Sequence, residues 1–147
     1  MDWTNIVWAG LVATAVMTAL MYMSPMMGMP KMDIAQMEGS MVLRQGNTAF
    51  MTGMAMHFMI GVILAIVYAL VWSLTGIPVI WWSGLVFGLV HGLIALMAMP
   101  MMMTMHKEVR AGRFPNIIKE GGAMGIAGLI VGHLVFGLIL GILYTPF

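Results

Sequence analysis

"HFMIGVILAIVY", residues 57–68, returns near the end of the chain as "HLVFGLILGILY", residues 133–144, with the spacing HxxxGxxxxxxY kept in both. Each copy follows its histidine with ten residues that carry no charge and no hydroxyl. Neither shows the alternation of a barrel strand, so each reads as a helix that satisfies its own backbone in a medium without water. A second pair lies upstream. "GLVATAVMTALMYMSPMM" from Gly10 and "GLVFGLVHGLIALMAMPMM" from Gly84 share their opening GLV, a later Val and a closing Pro-Met-Met.

These landmarks place four apolar segments at about 3–23, 52–74, 79–103 and 123–144, each near the roughly 20 residues that cross hydrocarbon as a helix. The composition agrees with a membrane protein. Of 147 residues 62% are hydrophobic and 7% charged, too few charges to solvate a globular surface of that size. The expected fold is an all-α integral membrane four-helix bundle. It forms a single transmembrane domain over 1–147, built from two tandem repeats of a helical hairpin, about 8–74 and 82–147. The first segment lacks a basic start and a small-residue cleavage site, and reads as a retained helix.

All six basic residues, Lys31, Arg44, Lys107, Arg110, Arg113 and Lys119, fall in the two long connections. The positive-inside rule puts those connections in the cytoplasm and both termini, with the short "TGIP" turn, on the outer side of a plasma (inner) membrane. The net charge of +1, with no dense basic stripe, excludes a nucleic-acid surface. The absence of cysteine excludes disulfides, thiolate metal sites and cysteine nucleophiles. No Ser/His/Asp elbow, P-loop or HExxH occurs, and the five acidic residues lie outside the four segments. An enzyme and an ion-coupled transporter are therefore not expected.

The histidines carry the most information. Counted from the aromatic residues at the outer ends, His57, His91 and His133 lie at similar depth, and the repeat places Met17 where His91 stands in the second copy. At helical rise all four sit roughly 14 to 16 Å from the outer interface, near the midplane. Met17, His57, His91 and His133 are thus the candidate cofactor-binding and metal residues. Thioether and neutral imidazole suit copper, above all Cu(I), and the same ligands hold haem iron. The alternative is hydrogen bonding between neighbouring helices, which leaves no cofactor. His106, beside Lys107, reads as solvated.

Thirteen of the 21 methionines lie between Met17 and Met59 and six between Met97 and Met105. One reading is a thioether path through Met26, Met27, Met101 and Met102 to the midplane. The other is an adaptable docking surface or the filling of an irregular mouth. Glycine lines Gly84/Gly88/Gly92, Gly128/Gly132 and Gly137/Gly141 suit close helix packing. Pro25 and Pro100 are expected to end or kink their helices. "KMDIAQMEGSMVLRQG" from Lys31 suggests a short amphipathic helix on the interface, with Ile34, Met37, Met41 and Val42 towards lipid or a partner.

"PKMDIAQMEGS", "HFMIGVILAIVYAL", "GLVFGLVHGLIALMAMPMM" and "GHLVFGLILGILY", in this order, resemble a family of small uncharacterised four-helix membrane proteins of bacteria and archaea. The resemblance implies a four-span fold and carries no activity, cofactor or site residue. The functional expectation is a small non-catalytic accessory or scaffold subunit, partnered by lipid and by another membrane protein or further copies of itself. The alternative is a copper or haem b protein that handles metal or electrons through Met17, His57, His91 and His133.

Overall fold

A computed structural model describes residues 2–29 and 31–145. Four of its helices are long and apolar enough to cross a membrane. They are α1 (Trp3–Met23), α3 (Asn47–Thr75), α4 (Trp81–Met105) and α6 (Ile117–Leu143), with the short α2 (Ile34–Val42) and α5 (Lys107–Arg110) in the long connections. Asp2 caps α1 by accepting the Asn5 N–H at 3.0 Å. Pro25 opens the 3-10 turn Ser24–Met27 that ends this helix, whereas α4 runs through Pro100 to Met105. Gly122, at φ +52°, breaks the helical path of α6, so the uninterrupted part begins at Ala123.

Small residues decide which helices touch. α1 packs against α3 where Gly10 and Thr14 meet Gly61 and Ala65. α4 packs against α6 where Gly84 and Gly88 meet Gly137 and Gly141, and a side chain on any of these four would strike the opposite backbone. α1 also lies along α6. α3 and α4, joined by the short turn, meet through aromatic side chains: Trp72 stacks on Phe87 with ring centroids 5.2 Å apart, and its Nε1–H donates to Ser83 Oγ at 3.2 Å.

Two apolar clusters result. One, at the end bearing the short turn, holds Ile6, Tyr68, Trp72, Phe136, Leu140 and Tyr144. The other, at the end bearing the long connections, holds Met32, Ile34, Met37, Met99, Met103, Phe114 and Leu129.

The expected interfacial helix forms, but it does not lie on a surface. α2 docks on α3 backbone to backbone: a Cβ on Gly39 would strike the Ala49 carbonyl, and one on Gly53 the Ala35 carbonyl. Ile34 and Met37 are consequently buried, and only Met41 and Val42 stay exposed. The physical reason is a pair of four-residue spacings, Ala35/Gly39 and Ala49/Gly53, that allow the helices to approach more closely than an apolar stripe on lipid would. α3 extends five residues further towards its start than hydropathy suggests, and α2 packs on Ala49 in this extension and on Gly53 one turn beyond it.

His106 also departs from expectation. It is 1% exposed. Its Nε2–H donates to the Met37 carbonyl at 2.9 Å, and its Nδ1 accepts the Glu108 N–H at 3.2 Å. The imidazole therefore joins α2 to the start of α5, under the Phe114 ring that stacks on it. Beside it Arg113 makes a two-pronged contact with Glu108, Nε to Oε2 at 2.8 Å and Nη2 to Oε1 at 2.9 Å. That hydrogen bonding, followed by the attraction of the charges, holds the Glu108 carboxyl below its ordinary value of 4.5.

Candidate functional site

Between the two apolar clusters lies a cavity of about 250 Å³. Its wall includes all four candidate residues, Met17 from α1, His57 from α3, His91 from α4 and His133 from α6. Five further thioethers join them: Met21 from α1, Met32 and Met37 from the segment around α2, and Met99 and Met102 from α4. Glu38 completes the polar lining, brought in by α2.

Each histidine is oriented by a partner at Nδ1. His133 Nδ1–H donates to the Leu129 carbonyl one turn earlier, at 2.7 Å. A carbonyl only accepts, so the proton is on Nδ1 and the lone pair of the neutral ring is on Nε2. His57 Nδ1 lies 3.0 Å from Glu38 Oε1. A carboxylate oxygen there can accept the Nδ1 proton, and in the neutral ring that arrangement leaves the lone pair on Nε2. His91 Nδ1 shares a hydrogen bond with the Tyr68 hydroxyl at 3.2 Å. The His91 and His133 rings meet edge to face with centroids 4.5 Å apart.

Two atoms of the site have no hydrogen-bond partner although they are buried, His57 Nε2 and Glu38 Oε2. His57 is 7% and Glu38 8% exposed. A carboxylate on one nitrogen of a buried imidazole, with the other nitrogen bare, is the arrangement that fixes the tautomer and raises the basicity of a metal-ligating histidine. Among the described residues no three His, Asp or Glu side chains stand together as a metal cage by themselves. A metal held here would have to use sulfur as well as nitrogen.

Sequence reading singled out the three imidazoles and Met17 but missed Glu38. Hydropathy put this carboxylate in a loop outside the membrane segments. The signal that locates it is local: Glu38 immediately precedes Gly39, the residue whose lack of a side chain seats α2 against α3, so it faces the neighbouring helices. Of the suggested sulfur path, Met102 lines the cavity, while Met26 and Met101 are exposed.

No family model matches the chain, and no curated protein or solved structure is significantly similar to it. The chemistry of the site must carry the functional reading.

Proposed function

We propose that this is a small membrane protein that binds a soft metal ion, Cu(I) by ligand chemistry, between its helices. The observation that carries the reading is the buried, unpartnered Nε2 of His57, on a ring oriented by Glu38, in a side chain that lines one cavity with two further imidazoles, several thioethers and apolar groups. Neutral thioether beside imidazole favours Cu(I) over Mg(II) and Ca(II), which take oxygen ligands, and over Zn(II), which pairs imidazole with thiolate, carboxylate or water rather than thioether. Glu38 supplies the negative charge that a monovalent ion needs when it leaves water. The cavity volume favours an ion over haem b, since even drug-sized ligands occupy roughly 300 to 1,000 Å³. The role is binding and handling, with no catalytic step assigned.

In this reading the chain is a four-span membrane bundle made of two copies of a hairpin. The glycine contacts support the duplication. Gly10 and Thr14 correspond to Gly84 and Gly88 in the repeat alignment, Gly61 and Ala65 to Gly137 and Gly141, and the same helix pairs touch at the same places. Lys and Arg placement supports a plasma-membrane orientation with the termini outside and the methionine-rich end in the cytoplasm.

Elemental analysis of the protein purified in mild detergent after Cu(I) loading tests the binding. The wild type is expected to retain one copper per chain, with nitrogen and sulfur neighbours in its X-ray absorption spectrum. The His57→Ala/His133→Ala double variant should retain none while keeping its helical circular dichroism. A folded wild type without copper, or a double variant loaded like the wild type, would overturn the proposal. The exposed thioethers Met26, Met97, Met101 and Met105 would then favour an accessory subunit that docks on another membrane protein.

A further inference from the structure

The cavity has one wall made of sulfur, and behind that wall is a second space. A groove of about 50 Å³ lies between α1, the 3-10 turn that follows it and α6. Met27, Met29 and Met124 line it, and so do Met21 and Met32, which also line the central cavity. Two thioethers therefore stand on the boundary between the two spaces.

On its α6 side the groove is bordered by Gly128 and Gly132, together with the side chains of Met124 and Val131. At Gly128 a Cβ would sit 3.7 Å from Met32 Sδ and 3.9 Å from Met29 Sδ. At Gly132, one turn further along, it would sit 3.8 Å from Met17 Sδ. Met17 on α1, with Met29 and Met32 in the connection that leads to α2, thus brings three sulfurs to this glycine face within about one helical turn, roughly 6 Å. At its turn-bearing end the cavity meets aromatic side chains. There Tyr68 packs edge to face on Trp72, Phe87 and Phe136, with centroids 5.7 to 5.8 Å apart.

We infer that the groove is the route by which the soft metal ion reaches the central cavity, passed from Met27, Met29 and Met124 to Met21 and Met32 and then to the imidazoles. The inference rests on the metal-binding reading above. The groove's volume admits an ion and no organic ligand. A thioether needs no deprotonation to bind and holds Cu(I) weakly when alone, so each sulfur takes the ion and releases it to the next. Conduction needs this balance of several weak sites. A hard cation would find almost no oxygen to replace its water. Ser24 is the one hydroxyl on the wall, and its Oγ–H donates to the Met21 carbonyl at 2.8 Å. The destination differs in kind, since among the described residues only there does a buried imidazole nitrogen stand without a partner.

Loading kinetics test the route on the full chain in detergent. Cu(I) is offered as its bathocuproine disulfonate complex, and the loss of that complex's absorbance gives both the rate and the final occupancy. Met29→Leu/Met124→Leu keeps volume and apolarity, and the swap is well tolerated in packed sites. It is expected to slow loading severalfold with unchanged final occupancy. Gly128→Leu, which fills the floor, is expected to slow it in the same way. Met26→Leu/Met101→Leu changes exposed sulfurs that line neither space, and should load at the wild-type rate.

Wild-type rates in both groove variants would overturn the route while leaving the binding site standing. Reduced final occupancy in Met29→Leu/Met124→Leu would also overturn it, because those sulfurs would then be ligands of the resting ion. A wild type that takes up no Cu(I) overturns the metal reading and the route together.

Discussion

His57 uses one ring nitrogen on Glu38 and leaves the other buried and bare. An unsatisfied buried polar atom costs about 1–3 kcal/mol, and here two such atoms belong to side chains that line the same cavity. Replacing Glu38 by Gln separates charge from orientation, because the amide oxygen still accepts the Nδ1 proton while the negative charge is gone. Partners of ligating histidines typically govern metal affinity by about 10–100-fold. Glu38→Gln is therefore expected to weaken Cu(I) binding by a factor in that range, measured by competition against a chelator of known affinity. Undiminished affinity would reduce Glu38 to a packing group. At this scale His57, His91, His133 and Met17, which line one cavity, stand out in the sequence because its two similar halves carry them at corresponding positions. Glu38 does not, because hydropathy averages over a window and a single carboxylate in a moderately polar loop looks solvated. His106 was misread for the same reason: its neighbour Lys107 is exposed, but its own ring is enclosed by Met37, Ser40 and Phe114.

Among the elements, α2 does the unexpected thing. Its sequence carries an apolar stripe suited to a membrane surface, but the Ala35/Gly39 and Ala49/Gly53 spacings let its backbone approach α3 closely, and the close contact determines where it sits. Tyr22 on α1 donates to Asp33 Oδ1 at 2.9 Å, and Asp33 also caps the helix by accepting the Gln36 N–H at 3.1 Å. His106 holds the middle of the helix from the other side. α2 is thus clamped at its start and centre, and Glu38 is carried into the cavity as a consequence. Gly39→Val breaks the arrangement, since a Cβ there meets the Ala49 carbonyl and backbone cannot yield as a side-chain tip can. Overpacking of this kind costs about 1–3 kcal/mol. The melting temperature in detergent should fall, and Cu(I) affinity should fall at least as far as in Glu38→Gln. A variant that melts lower yet binds copper normally would show that the docking of α2 and the metal site are separate matters. The long helices were readable from length and hydropathy alone. The docking of α2 was not, because a contact between small residues carries no hydrophobic signal.

Over the whole molecule, sulfur and charge collect at one end and aromatic rings at the other. The end with the long connections carries the six Lys and Arg and most of the 21 methionines, whereas the short-turn end is filled by Tyr68, Trp72, Phe87 and Tyr144. The groove opens beside the first of these ends, so the orientation of the chain decides from which side of the membrane an ion would be collected. Lys and Arg in short loops are retained on the cytoplasmic side, which predicts loading from the cytoplasm. The chain contains no cysteine, so single cysteines report without background. Thr75→Cys lies at the end of α3, beside the short turn, and Thr48→Cys at the start of α3, and both native side chains are exposed. In intact cells a membrane-impermeant maleimide should label the Thr75→Cys protein and reach the Thr48→Cys protein only after the membrane is opened. The reverse pattern would place the methionine-rich end outside, where cytosolic thiols do not compete for Cu(I). The groove would then collect the ion from the external medium, with the same residues acting in the same order.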